Sequence, residues 1–599
     1  MKKNNCLVFS LTVVTGVVLF LNACSHSQTT GDASAGGAYS SVHLPQDALP
    51  TCTVPLDSFN AWFSGGKAVE NGFVNPANSV TFGHNDNCDF YEWSERMFLW
   101  ITSQNQGQYG SQGTVMESPV FYTVSPDSDK MRQLIRHEPG QLIRATGELL
   151  KNGPNRLPLF KDKTGQLFEV VLHKPGEKVL VKNQLGAVVE IGSVIKGANG
   201  AAIFKDKSGK TIQAPMLPAN LLSRAHVLQE FPTPTGPVLV DANGKQVDTE
   251  VGQATGNVLM ARSGSLVYYI TMVNDMYAYF LTAVDTPYRY MPGNQFPISG
   301  PARDSIFFFA RTHGFPIPPD PNALTIEIKT SWVIADSLTD QSKYVTMDAI
   351  VPDYDISSNT NWIPQREKKV KLALTAIHIV GAVAKHPEMI WATFEHESNT
   401  PNAAYQYIDT GKKVQTVAAD TGTRWVFNNN ATAPASTFNI PHMSAVGDTI
   451  VADSGQVISP SNTLRVFPMG TEMYTVPNQQ DTSASASNTE IISINNNIRG
   501  MIPGNDVRKN YLFIGATWTF GGTPPNGSIY PQDSTTGGAI GTSLLANSTM
   551  ETYFQTPGHT CFTCHQTLAP TRLSHVFAAI QPLRSMMKAV KNKEVKAHY

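Results

Sequence analysis

Leu324-Thr-Ile-Glu-Ile-Lys-Thr-Ser-Trp-Val-Ile334 alternates apolar and polar residues along most of its length. Successive side chains of a strand point to opposite faces, so this stretch reads as a strand with one face in a core. Lys369-Val-Lys-Leu-Ala-Leu-Thr-Ala-Ile-His-Ile-Val380 is a second such stretch, and Leu266-Val-Tyr-Tyr-Ile270 and Ser305-Ile-Phe-Phe-Phe-Ala310 read as further strands. The expected fold class is α+β and β-dominated: a large, mostly antiparallel sheet with several helices and a short helical segment at the C-terminus. One core helix is predicted from Phe90 to Ile101, where Phe90, Trp93, Met97, Trp100 and Ile101 share a face and Asp89 can cap the start.

Between about 150 and 265 a short pattern recurs in Leu159 to Gly165, Leu180 to Gly186, Ile203 to Gly209 and Leu239 to Gly244. Each is a strand running into a turn whose Asp or Asn and Gly supply positive-φ positions, which predicts successive hairpins in an inserted lobe. Asp162 and Asp206 lack the dense oxygen ligands of a calcium loop.

The chain has 599 residues, 41% apolar and only 15% charged, with a net charge of −2. That suffices for sizeable cores and gives no reason to expect a nucleic-acid partner or a polybasic membrane surface. Sparse charge with many Gly, Pro, Asn, Ser and Thr is a balance met in exported β-rich proteins.

Near the C-terminus stands Cys561-Phe-Thr-Cys564-His565. Cys-x-x-Cys-His is the spacing of covalent haem c attachment, with the thiols on the vinyl groups and the histidine as an axial ligand of the iron. A zinc site drawing on His559 lacks the usual second ligand pair, and a thiol-disulfide motif lacks its strand-helix setting. One covalent haem c is therefore expected on Cys561, Cys564 and His565. Only 34 residues follow His565, fewer than wrap the haem in an ordinary cytochrome c domain, so the body is expected to cover part of the haem. Candidate distal iron ligands are His575, Met586 and Met587, with His598 further on. Leu573, Val576, Phe577 and Ile580 read as the apolar stripe of a helix carrying His575.

At the other end, Lys2 and Lys3 precede an apolar run from Leu7 to Leu21 with the character of a secretory signal. Leu21-Asn-Ala-Cys24 resembles the bacterial lipoprotein box, which makes Cys24 the lipidated first residue of the mature chain, with residues 25 to about 45 as a flexible tether. Ser25 then favours the outer membrane, facing the periplasm. Of the six cysteines, Cys6 leaves with the signal, so Cys52 and Cys88 remain for one disulfide, two buried thiols being the alternative. The expected organisation is a signal over 1–23, a tether over 24–45, a β-rich body over 46–150 and 266–555, the hairpin lobe over 151–265, and the haem segment over 556–599.

Titratable residues are densest at His378, His386-Pro-Glu388 and Glu395-His396-Glu397. His386, Glu388 and His396 are weak catalytic candidates, sufficient for a metal or acid-base site if the chain folds them together. Alternation would set Glu395 and Glu397 on one face and His396 on the other, so polar residues satisfying one another at a sheet edge is the plainer reading.

Ile377-His-Ile-Val380, His386-Pro-Glu-Met-Ile-Trp-Ala-Thr-Phe-Glu-His-Glu-Ser-Asn-Thr-Pro401, Leu545-Ala-Asn-Ser-Thr-Met-Glu-Thr-Tyr-Phe-Gln555 and the Cys561 motif together resemble a group of exported bacterial proteins known only as cytochrome c family proteins. The resemblance covers most of the mature chain and implies one c-type haem near the C-terminus, an exported body and no assigned reaction. The function expected is electron transfer in the cell envelope, with a redox protein or a small molecule as donor or acceptor and a lipid anchor to the membrane. The alternatives are a haem-dependent oxidoreductase acting on a small substrate and a haem-based gas sensor. A single attachment motif argues against a di-haem peroxidase.

Overall fold

A computed structural model describes residues 38–583, apart from 126–131, 146–156, 158, 162–166, 172–177, 198, 218–226, 232–237, 248–256, 286–287, 447–448, 454, 471–481, 528–536, 543, 556–560, 567–569 and 578–579. The expected signal, Cys24 and most of the tether lie outside the described residues, as do His559, Met586, Met587 and His598. Among the described residues no helix is long and apolar enough to cross a membrane.

The fold is β-dominated, as expected. We name its principal strands β1 (Phe121–Val124), β2 (Leu134–Arg136), β3 (Tyr268–Asn274), β4 (Ile326–Ile334), β5 (Thr346–Asp355), β6 (Asn361–Val383), β7 (His386–His396), β8 (Tyr511–Thr519) and β9 (Ala539–Gly541). They form the main path of a 12-stranded sheet in the order β2-β1-β3-β4-β6-β7-β8-β9, with β5 paired to the first half of the 23-residue β6. The pairings along this path are antiparallel; the short Ile143–Arg144 strand runs parallel to β5. Helices are α1 (Leu56–Trp62), α2 (Asn87–Ile101), α3 (Asp275–Val284), α4 (Gly300–His313), α5 (Thr482–Met501) and the single turn α6 (Cys561–Cys564).

Alternation along the central strands builds two cores. Ile326 and Ile328 of β4, Ile377 and Ile379 of β6, and Ile390, Ala392 and Phe394 of β7 pack with α2 and α5 in the larger one. Val380 and Trp391 point into the second, which contains α3, α4 and the C-terminal segment. Both faces are thus covered, which is why β7 is buried at every position. On the first face α2 lies so close to the sheet that a Cβ at Gly381 would come within 2.7 Å of the Trp93 ring.

Helix α2 begins three residues earlier than the apolar stripe indicates. Asp86 is its N-cap and Asp89, the expected cap, reaches back from the third position to close a capping box. Cys52 and Cys88 form the expected disulfide, tying the start of this helix to the segment before α1. Its loop of 36 residues stabilises by roughly 3 to 4 kcal/mol on the chain-entropy model.

Ser305 to Ala310 is not a strand: it lies within α4. Ser299 caps the helix by accepting from the Ala302 N–H, Pro301 sits in its first turn, and Gly314 at φ 75° ends it. Only Ile306, Phe309 and Ala310 of the run are buried, at helical spacing, while Phe308 is 53% exposed. Nor do Leu573 to Phe577, the described start of the Leu573 to Ile580 stripe, form an α-helix. A 3-10 turn at Pro570–Arg572 leads into further turns, yet Leu573, Val576 and Ile580 are buried in the second core. Burial was legible from their hydrophobicity; helical spacing there was a coincidence of an irregular segment.

Of the residues expected to form hairpins, the strands between 159 and 247 pair with one another in a sheet of five strands and another of three, whereas Asn257 bridges Ser444 of the body. The turn chemistry is as expected: Asp206 Oδ1 accepts from Ser208 and Lys210 N–H, Asp241 Oδ1 from Asn243 and Lys245 N–H, and Gly209 and Gly244 stand at φ 82° and 78°. These bonds occupy the aspartate at 206 that a calcium reading would use; Asp162 lies outside the described residues.

Candidate functional site

The second face of the sheet carries a polar row between its apolar residues. Register sets Lys329 of β4 opposite His378 of β6, and His378 opposite Thr393 of β7. His378 Nε2 lies 2.9 Å from Glu551 Oε1, and Glu551 Oε2 accepts the Asn547 N–H at 2.8 Å. Burial alone would raise the Glu551 carboxyl, but His378, Lys329 and these hydrogen bonds outweigh it and hold the group below its ordinary range.

The C-terminal segment lies over this row. Cys561 and Cys564 sit one helical turn apart in α6 and are not joined to each other by a disulfide. Burial, with the Glu551 carboxylate beside it, pushes the Cys561 thiol up, so it stays protonated. His565 follows, its Nδ1 2.6 Å from the Leu573 carbonyl. That contact makes Nδ1 the donor and leaves Nε2 as the acceptor nitrogen. Burial first, and then His575, depress the His565 pKa well below that of a free imidazole, so the ring is neutral.

Two aromatic rings flank His565. Trp391 lies with its ring centre 4.4 Å away, and the His575 ring is stacked at 4.0 Å with planes 19° apart. The histidines thus lie face to face here, whereas ligands across one metal ion meet it tip to tip. The segment is pinned by Ser574, whose Oγ donates to Glu327 Oε2 at 2.6 Å and lies 2.7 Å from the Tyr277 hydroxyl. Phe562, Leu573, Val576 and Ile580 fix it by burial.

The other candidates separate. His386 and His396 stand at opposite ends of β7, about 30 Å apart at the rise of a strand, so they do not form one site. His396 is stacked on Tyr344 at 3.8 Å, with Nδ1 2.8 Å from Ser398 Oγ and Nε2 3.2 Å from the Lys343 carbonyl. Burial depresses its pKa to about 3. Glu395, on the opposite face, forms a fully buried pair with Arg465 at 2.6 Å and accepts the Ser548 N–H at 2.8 Å. Glu397 does not share the Glu395 face: the strand has ended, and its carboxylate pairs with Arg499 of α5. At this end the residues satisfy one another, although inside the protein rather than at an edge.

His386 and Glu388 do come together. His386 Nδ1 lies 2.8 Å from Glu388 Oε1, which also accepts the Thr519 N–H at 3.2 Å. Both side chains are at most 1% exposed, yet His386 Nε2 and Glu388 Oε2 have no hydrogen-bond partner among the described residues. Leaving such buried atoms unmatched costs roughly 1 to 3 kcal/mol each. Lys385 and Met389 beside them hold positive φ of 70° and 68°, the first in the turn and the second at a register shift.

No known protein family, curated protein or solved structure matches the chain. Among the described residues no three His, Cys, Asp or Glu side chains converge to hold a metal ion by themselves. Sequence reasoning missed Lys329, Trp391, Glu551 and His84, the last lying near His386 from the loop before α2. Trp391 alone carried a usable signal, a large aromatic among the alternating residues of β7.

Proposed function

We propose that this protein is an exported monohaem c-type cytochrome whose C-terminal segment holds the haem against the polar row of the sheet, and that it transfers electrons in the cell envelope. The observation that carries the reading is the hydrogen bond from His565 Nδ1 to the Leu573 carbonyl. It fixes the tautomer that an axial ligand needs, with the lone pair on Nε2, next to two cysteines one turn apart. Cys561 and Cys564 would hold the haem covalently and His565 would bind its iron; with His575 stacked on the His565 ring, a second ligand is sought in Met586 and Met587.

When bound, the haem supplies a one-electron ferric/ferrous couple. The chain's own part is to set the surroundings. Trp391 and His575 shield the His565 ring, Ser574 and Glu327 anchor the segment, and the Glu551 carboxylate offers a negative charge that favours the oxidised, more positive state. Cys24 is proposed as the lipid anchor at the outer membrane, with a redox protein or small molecule exchanging electrons with the haem.

The visible spectrum of the purified protein, oxidised and reduced, with and without carbon monoxide, tests this. A c-type spectrum that carbon monoxide leaves unchanged is the expected result, and Cys561→Ala with Cys564→Ala abolishes covalent attachment. A spectrum shifted by carbon monoxide replaces electron transfer with an enzyme or sensor, and a protein without haem overturns the reading.

A further inference from the structure

A second site lies on the first face of the sheet. A cavity of about 600 Å³ opens where the loop before α2 meets the β6–β7 turn, lined by Phe82, His84, Asn85, Lys385 and His386 among others. We infer that it binds one divalent transition-metal ion of the zinc or copper class, with His84 and His386 as its protein ligands and water completing the shell.

The orphan nitrogen is the starting point. His386 is 1% exposed and lines the cavity, and its Nε2 has no hydrogen-bond partner among the described residues. The Glu388 carboxylate, itself held by the Thr519 N–H, accepts a hydrogen bond from Nδ1–H at 2.8 Å. The lone pair is therefore on Nε2. A carboxylate behind a histidine in this way is the outer partner that metal-binding histidines use to fix their tautomer and raise their basicity.

The second ligand is placed to match. The rings of His84 and His386 have centroids 4.9 Å apart at 65°. With metal–nitrogen bonds of about 2.0 to 2.1 Å, two imidazoles on one tetrahedral ion have centroids roughly 5 Å apart. His84 is on the surface side, so the ion has an entry path, and Phe90 packs at 5.1 Å against the buried ring to hold it still. Two imidazoles with open solvent positions suit zinc or copper rather than magnesium or calcium, which take oxygen ligands. Lys385 lines the same cavity and would favour an anion instead. An anion, however, would meet the Nε2 lone pair rather than a proton, and a metal ion is the partner that this nitrogen lacks.

The site also has a route to the haem segment. The Trp391 indole N–H donates to the Glu388 carbonyl at 2.8 Å, and the same ring lies against His565. One side chain thus joins the residue that positions His386 to the proposed iron ligand. This coupling rests on the haem reading; the metal site does not.

Equilibrium dialysis of the purified full-length protein against zinc alone, with elemental analysis, tests the proposal. Wild type is expected to retain one zinc per chain in addition to any haem iron. His84→Ala, at an exposed position, should weaken binding by at least about ten-fold, and Glu388→Gln by about ten- to a hundred-fold. With copper, the electron paramagnetic resonance signal of wild type should show two coupled imidazole nitrogens and that of His84→Ala one. Equal zinc affinity in wild type and His84→Ala overturns the proposal. So does the absence of zinc binding, or a cavity that takes inorganic phosphate and no metal. Haem content is read separately, so loss of the haem reading leaves these outcomes interpretable.

Discussion

Two histidines end the same strand, and both are almost wholly buried, yet they differ in what their nitrogens meet. His396 has a partner for each ring nitrogen and a tyrosine stacked on its face. His386 has a carboxylate on one nitrogen and no hydrogen-bond partner on the other among the described residues, and it lines a cavity. Burial therefore does not separate a structural histidine from a functional one. What separates them is whether the protein completes the hydrogen bonding by itself.

The sharpest way to break this comparison is at the satisfied end. Arg465→Met leaves the Glu395 carboxylate buried beside Ser548 without its cation, and breaking a buried pair in this way costs about 3 to 5 kcal/mol. A loss of unfolding free energy of that size in urea titrations, without change in haem or zinc content, is expected. If zinc were lost with it, the two ends of β7 would not be independent.

Acid comes next. The folded-state pKa of His396 lies at about 3, below its ordinary value, so the unfolded chain takes up the proton first as pH falls. Its contribution is fully present above about pH 6.5 and declines toward pH 3, by about 2 to 3 kcal/mol between pH 6.5 and 4.5. His137, depressed to about 4 by burial, adds a loss of the same sign. Stability measured across this range should slope less in His396→Asn than in wild type by that amount.

The smallest effect is expected at the open end. His386→Asn keeps a donor where Nδ1 stands and deletes the unmatched Nε2, so in metal-free protein it should lower stability by only about 1 kcal/mol. His396→Asn, which loses the Tyr344 stack and the Lys343 contact, should cost about 2 to 3 kcal/mol at neutral pH. Equal costs in urea unfolding would sink the distinction between the two ends.

Features governed by local chemistry were readable from the sequence. Strand alternation in Leu324 to Ile334, the aspartate-glycine turns of the lobe, and the cysteine count that left Cys52 and Cys88 for each other are of this kind. The Ser305 to Ala310 run was ambiguous because its five consecutive apolar residues fit a buried strand as well as a helix. Its caps, Ser299 and Gly314, carried the deciding signal. A separation of ten positions between His386 and His396 left open whether a turn intervened; a single strand keeps them apart. His84 was invisible because its neighbour lies some 300 positions away in sequence, and only the packing of α2 on the sheet brings the two together.

The position of the C-terminal segment also sets a sequence in time. Phe562, Leu573, Val576 and Ile580 complete the second core, but a ribosome makes them after every strand they cover. Until they arrive, Trp391 and Val380 have no lid, and that side of the sheet is a sticky, unfinished surface. Cys561 and Cys564 lie on the piece that completes the fold, and a chain that fails to seat it is left with an apolar face that folding surveillance can recognise.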